Sequence, residues 1–92
     1  MHRNEFVQAV IAGAGRRALP VSYNRNGRAS ILFNAKSKKS LHADHLAALF
    51  DRGYADPERT PAERNALVKL VAPGRPCTHR GLREIVEQMT AV

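Results

Sequence analysis

The 92-residue chain has no tryptophan, one cysteine (Cys77) and only five aromatic residues: Phe6, Tyr23, Phe33, Phe50 and Tyr54. One cysteine excludes an internal disulfide. So few aromatics make a stacking platform for successive unpaired bases hard to build. No apolar run approaches the roughly 18 residues that span a membrane. The N-terminus lacks the hydrophobic stretch of a signal peptide. These absences predict a reduced, cytoplasmic protein with no membrane partner. Acidic residues are also scarce early in the chain. Residues 1–40 hold Glu5 alone against Arg3, Arg16, Arg17, Arg25, Arg28, Lys36, Lys38 and Lys39.

Hydrophobic residues make up 43% of the chain, too many for a disordered tail. The length predicts one domain over residues 1–92, with a small core. The formal charge is +7, and all of it sits in residues 1–40. Residues 41–92 balance seven basic side chains (Arg52, Arg59, Arg64, Lys69, Arg75, Arg80, Arg83) against seven acids. The domain therefore divides into a basic first part and a neutral second part. Such one-sided charge points to a polyanion, or to an acidic protein surface, as partner.

The element order predicted is α-β-β-α-α-α, an α+β fold. Phe6, Val7, Val10, Ile11 and Ala14 have helical spacing over residues 4–14, with Asn4 as N-cap. Gly13 and Gly15 weaken the end of that helix. Residues 19–35 read as a β-hairpin, with Val21 and Tyr23 alternating on one strand and Ile31 and Phe33 on the other. Asn26-Gly27 between them predicts a type I′ turn flanked by Arg25 and Arg28. Pro20 places the first strand at an edge. An exposed basic link, 36–40, follows.

Three helices complete the chain. The first covers 41–52, with Ser40 as N-cap, Gly53 beyond its end, and Leu41, Leu46, Leu49 and Phe50 buried beside His42 or His45. The second opens on the capping box Thr60-Pro61-Ala62-Glu63 and presents Leu67, Val68, Leu70 and Val71. Pro73-Gly74-Arg75-Pro76 ends it. The third starts at Thr78, with Leu82, Ile85, Val86 and Met89 on one face.

Thr60, Glu63, Leu67, Leu70, Gly74-Arg75, Thr78, Arg80 and Leu82 form a capped helix, a Gly-Arg turn and a second capped helix. Residues 60–86 thereby resemble the helix-turn-helix of winged-helix DNA-binding domains. The resemblance implies that His79, Arg80 and Arg83 enter a DNA groove, with Arg75 near a phosphate. Glu84 and Glu87 lie on the same helix and must then face away from the DNA. The hairpin and link supply a second candidate surface: Arg16, Arg17, Arg25, Arg28, Lys36, Lys38 and Lys39 can follow a phosphate backbone. A module this small reads a specific site most readily as a homodimer.

Other chemistries are weaker. His42 and His45 share a helix face, and with Cys77 and His79 they could surround Zn²⁺, but no Cys-x-x-Cys knuckle accompanies them. Asp44-His45, Asn65 and His79 resemble the motif elements of HNH nucleases, although a capping box stands where that family has a hairpin. Cys77 lacks a nameable catalytic partner. The expectation is a non-enzymatic, regulatory nucleic-acid-binding protein that needs no cofactor or metal, with DNA favoured over RNA. The alternatives are an inhibitor or adaptor docking on an acidic protein and, more remotely, a metal nuclease.

Overall fold

A computed structural model describes residues 1–34, 36, 38–75 and 79–90. Four helices and a three-stranded antiparallel sheet follow one another as α1 (Arg3–Arg16), β1 (Val21–Tyr23), β2 (Ala29–Ile31), β3 (Leu41–His42), α2 (Ala43–Asp51), α3 (Pro61–Val71) and α4 (Arg80–Thr90). The mixed α+β class and the predicted order hold, with one strand added. Phe6, Val10, Ile31, Leu41, Leu46, Leu49, Tyr54, Leu82 and Val86 share one core, each with at most a trace of exposure. The basic and neutral parts of the chain are therefore welded together.

α1 begins at Arg3, with His2 rather than Asn4 as N-cap; the His2 carbonyl accepts the Phe6 N–H. The helix runs through both glycines. It closes with the Ala18 N–H donated to the Gly15 carbonyl and the Leu19 N–H donated to the Ala14 carbonyl. This paired closure needs a left-handed residue, and Ala18 takes it at φ 57°.

Gly13 has a packing reason to be glycine. A Cβ there would stand 2.7 Å from Cγ2 of the buried, stiffly branched Ile85 on α4, whereas a Cβ on Gly15 would meet nothing within 4 Å. The same substitution should therefore have opposite signs two residues apart. Gly15→Ala should stabilise by about 0.5 kcal/mol through helix propensity. Gly13→Ala should cost about 1 kcal/mol net, because overpacking outweighs that gain. Urea midpoints of the two variants check this.

The hairpin turn differs from the type I′ expectation. The Gly27 N–H donates to the Asn24 carbonyl, the Asn24 N–H donates to the Arg28 carbonyl, and among residues 24–28 only Gly27 has positive φ, at 77°. This is a three-residue loop: a type I turn followed by a glycine bulge. Asn24 decides between the two, because its Oδ1 accepts the N–H groups of both Asn26 and Arg28 at 2.9 Å. On β1, Val21 opposes the buried Ile31, but Tyr23, opposite Ala29, projects into solvent with 64% of its surface exposed.

β3 occupies residues assigned from sequence to the next helix. Leu41 and His42 are extended and pair with Ile31 and Ser30 of β2. α2 therefore starts at Ala43, with His42 as its N-cap in place of Ser40. Two extended residues lie below any readable alternation, and Leu41 is buried in either conformation. At the far end Gly53 stands just past the helix, as expected, at φ 83°.

The capping box of α3 forms as read. Thr60 Oγ1 accepts the Glu63 N–H, and Glu63 Oε1 accepts the Thr60 N–H. Three of its four expected hydrophobes face the core, with Val68 buried and Leu67 and Val71 half-buried. Leu70 is 60% exposed, and Arg64 is 2% exposed beside Val68. The inward face of α3 is thus the expected stripe without Leu70, and a cation, Arg64, belongs to it. α4 buries Leu82, Ile85 and Val86, with Met89 half-buried, as the spacing requires. The N-cap expected at Thr78 lies outside the described residues.

Candidate nucleic-acid interface

The expected contact residues fall into two groups. The first gathers around the start of α2. Lys39 Nζ donates to the Gly74 carbonyl at 2.7 Å, which ties the basic link to the turn after α3. Arg75, the next residue, lies close enough to His45 to act on its charge. The hairpin joins the same region through the Arg28–Asp44 ion pair. Arg25 stands exposed at the hairpin tip, and Lys36 and Lys38 are exposed along the link. Among the described residues no carboxylate lies within ion-pair distance of Arg25, Lys36, Lys38 or Arg75. Cations from three separate stretches of sequence thus converge with little acid to neutralise them.

His42 and His45 sit within this group. Their rings meet edge-on with centroids 4.3 Å apart. The His42 backbone N–H donates to Nδ1 of His45 at 3.3 Å. Burial, then His42 and Arg75, hold the His45 imidazole below its usual pKa, and Asp44 opposes them. The three-residue spacing of the two histidines was the sequence signal for this pair, and it pointed to a metal instead. Among the described residues no three His, Cys, Asp or Glu side chains come together as ligands. Cys77 lies outside the described residues.

The second group surrounds a carboxylate. Glu84 pairs with Arg17 of the α1 terminus and with Arg80 one turn before it. Hydrogen bonds from Arg17 and then Arg80 hold its carboxyl below the ordinary range. Arg16 lies nearby, beside Gly13 and Gln88.

On α4 the side chains expected in a groove are largely engaged or covered. Glu84 and Glu87 point outward, their side chains 38% and 48% exposed. Arg80 is fully outside but engaged by Glu84. Arg83 turns its buried Nε inward, toward the charge environment of Tyr54. His79 is 1% exposed, with its ring edge against Phe33 at 5.8 Å, so no base edge can reach it. Helix periodicity displays both acids because Leu82, Ile85 and Val86 claim the opposite face. Of the HNH-like elements, His79 is packed away, and the intervening residues 61–71 are helix.

Of the five aromatics, Phe6 and Tyr54 are buried and Phe33 and Phe50 half-buried, which leaves Tyr23 as the one exposed ring. The cleft between the ends of α2 and α4, about 460 Å³, is lined by Met1, Phe50, Ala55, Pro57 and Met89, with Asp56 its one ionisable side chain. No helix among the described residues is long and apolar enough to cross a membrane. Comparison with known proteins finds no matching family model, no matching curated protein and no matching solved structure.

Proposed function

We propose that the chain binds a nucleic-acid phosphate backbone, duplex DNA above all, through the hairpin tip, the 36–39 link and Arg75, and serves as a non-enzymatic regulatory protein. The observation that carries this is the uneven pairing of charge. Arg3, Arg17, Arg28, Arg59, Arg64 and Arg80 share five carboxylates between them. Of the cations outside these pairs, Arg25, Lys36, Lys38 and Arg75 lie at the hairpin, the link and the turn after α3, whereas Arg16, Arg52, Lys69 and Arg83 lie elsewhere. Phosphates, which repeat at regular intervals, suit such a row, and each one neutralised releases condensed counterions. A single exposed ring supports backbone contact over base stacking.

The test is binding of a labelled duplex and of its single strand, followed by fluorescence anisotropy between 50 and 200 mM salt. With Arg25, Lys36, Lys38 and Arg75 each meeting a phosphate, log K should fall against log salt with a slope of about −3 to −4 on the duplex. A slope shallower than about −1, or no binding of either strand form at about 50 mM salt, overturns the reading. An acidic protein surface would then be the partner to seek.

A further inference from the structure

We infer that His45 makes polyanion binding proton-linked, so that each bound molecule takes up a proton at this imidazole and affinity rises as pH falls. The inference rests on the phosphate-binding reading above and adds a regulation to that site.

The geometry sets the state of the free protein. His45 Nδ1 accepts the backbone N–H of His42, the N-cap of α2, so that nitrogen carries no proton. The charged and titratable groups that act on the ring come from three segments. β3 contributes His42, the segment after α3 contributes Arg75, and α2 itself contributes Asp44. Asp44 is the one attractive charge, and Arg28 of the hairpin already engages it. Lys39 lies just beyond, on the Gly74 carbonyl. A proton on His45 would break the cap bond, and it would set a cation at the positive end of a helix among other cations. The free protein therefore keeps the ring neutral near pH 7.

A phosphate reverses these signs. Held by Arg75 and the link, it cancels the repulsion from those cations and gives an imidazolium a partner of opposite charge. The bound form then holds more protons than the free form. By linkage, affinity must rise as pH falls between the free and bound titrations. Phosphodiesters keep their charge throughout, so the slope belongs to the protein. Folding responds with the opposite sign. The unfolded chain protonates this histidine more readily than the folded one does, so the free protein loses stability as pH falls through about 6.5. One histidine thus weakens the free state and strengthens the bound state over one pH interval.

The experiment compares duplex affinity at pH 7.5 and 5.5, at fixed salt, for the wild type and His45→Asn. Asparagine offers an acceptor oxygen near the place of Nδ1 and does not titrate. Wild type should tighten about fivefold, the part of a one-unit rise in the bound pKa that this interval spans. His45→Asn should change by less than about twofold. NMR titration of the His45 ring in the wild type, free and with the duplex, provides a readout that needs no variant, and the bound titration should lie at higher pH. An affinity independent of pH, a slope that survives in His45→Asn, or an unmoved ring titration overturns this inference and leaves the phosphate reading intact. Absence of binding at both pH values overturns the two together.

Discussion

Replacing Arg64 with methionine is expected to destabilise the protein by about 3 kcal/mol, lowering the thermal midpoint by roughly 15 °C. The guanidinium lies inside α3's packed face and serves as the internal cap of the 52–59 loop. Its Nε donates to the Tyr54 carbonyl at 3.1 Å, and a terminal nitrogen donates to the Asp56 carbonyl at 2.9 Å. The same group stands 5.9 Å from the Tyr54 ring centroid. Methionine fills most of the stem's volume but removes the guanidinium donor from the Tyr54 carbonyl and leaves the Asp56 carbonyl with the Arg59 N–H alone. Each such loss costs about 1–3 kcal/mol.

Arg64 also faces Glu87 at 3.5 Å, but that carboxylate is 48% exposed. Glu87→Gln should therefore cost less than about 0.5 kcal/mol. Urea unfolding of both variants separates the two roles. A large loss in Glu87→Gln with a small one in Arg64→Met would mean that the ion pair, not the loop carbonyls, carries the effect. Arg64→Lys should fall between, since an ammonium cannot reproduce the planar fork that spans two carbonyls.

Arg64 also shows where sequence reading stops. Elements with a strong local signature were legible. The Thr60 capping box, the Gly53 helix end and the 82/85/86 stripe each depend on neighbours within a few residues, and each stands as read. What tertiary contact decides was not legible. Arginine is rarely buried, and only the folded 52–59 loop supplies the carbonyls that make burial of Arg64 tolerable. β3 was hidden for the same reason. Leu41 fits a helix stripe and a strand equally, and pairing with Ile31 settles it.

The candidate site divides likewise. The charge asymmetry along the chain was visible in composition, but its convergence was not, because Lys39 and the Gly74 carbonyl lie 35 residues apart. The resemblance of residues 60–86 to a helix-turn-helix rests on caps and leucines. These fix where helices start and which side packs, and the acids that α4 displays come with that packing.

The second large effect separates the two candidate surfaces directly. Arg25→Ala/Lys36→Ala/Lys38→Ala should weaken duplex binding by on the order of 100-fold at 0.1 M salt and make the salt slope shallower by about 2–3. All three side chains are exposed and lack carboxylate partners among the described residues, so folding stability should stay within about 0.5 kcal/mol of wild type. Arg80→Ala is the matched control. It removes an equally exposed cation, but one that Glu84 already neutralises. A side chain whose charge is engaged contributes little to counterion release, so affinity should fall by less than about threefold. The reverse pattern, with the triple variant near wild type and Arg80→Ala severely impaired, would return the interface to α4. It would also require Glu84 and Glu87 to tolerate phosphates at their own surface. Because the triple variant leaves His42, His45 and Arg75 in place, its residual binding should keep the dependence on pH even as the dependence on salt declines.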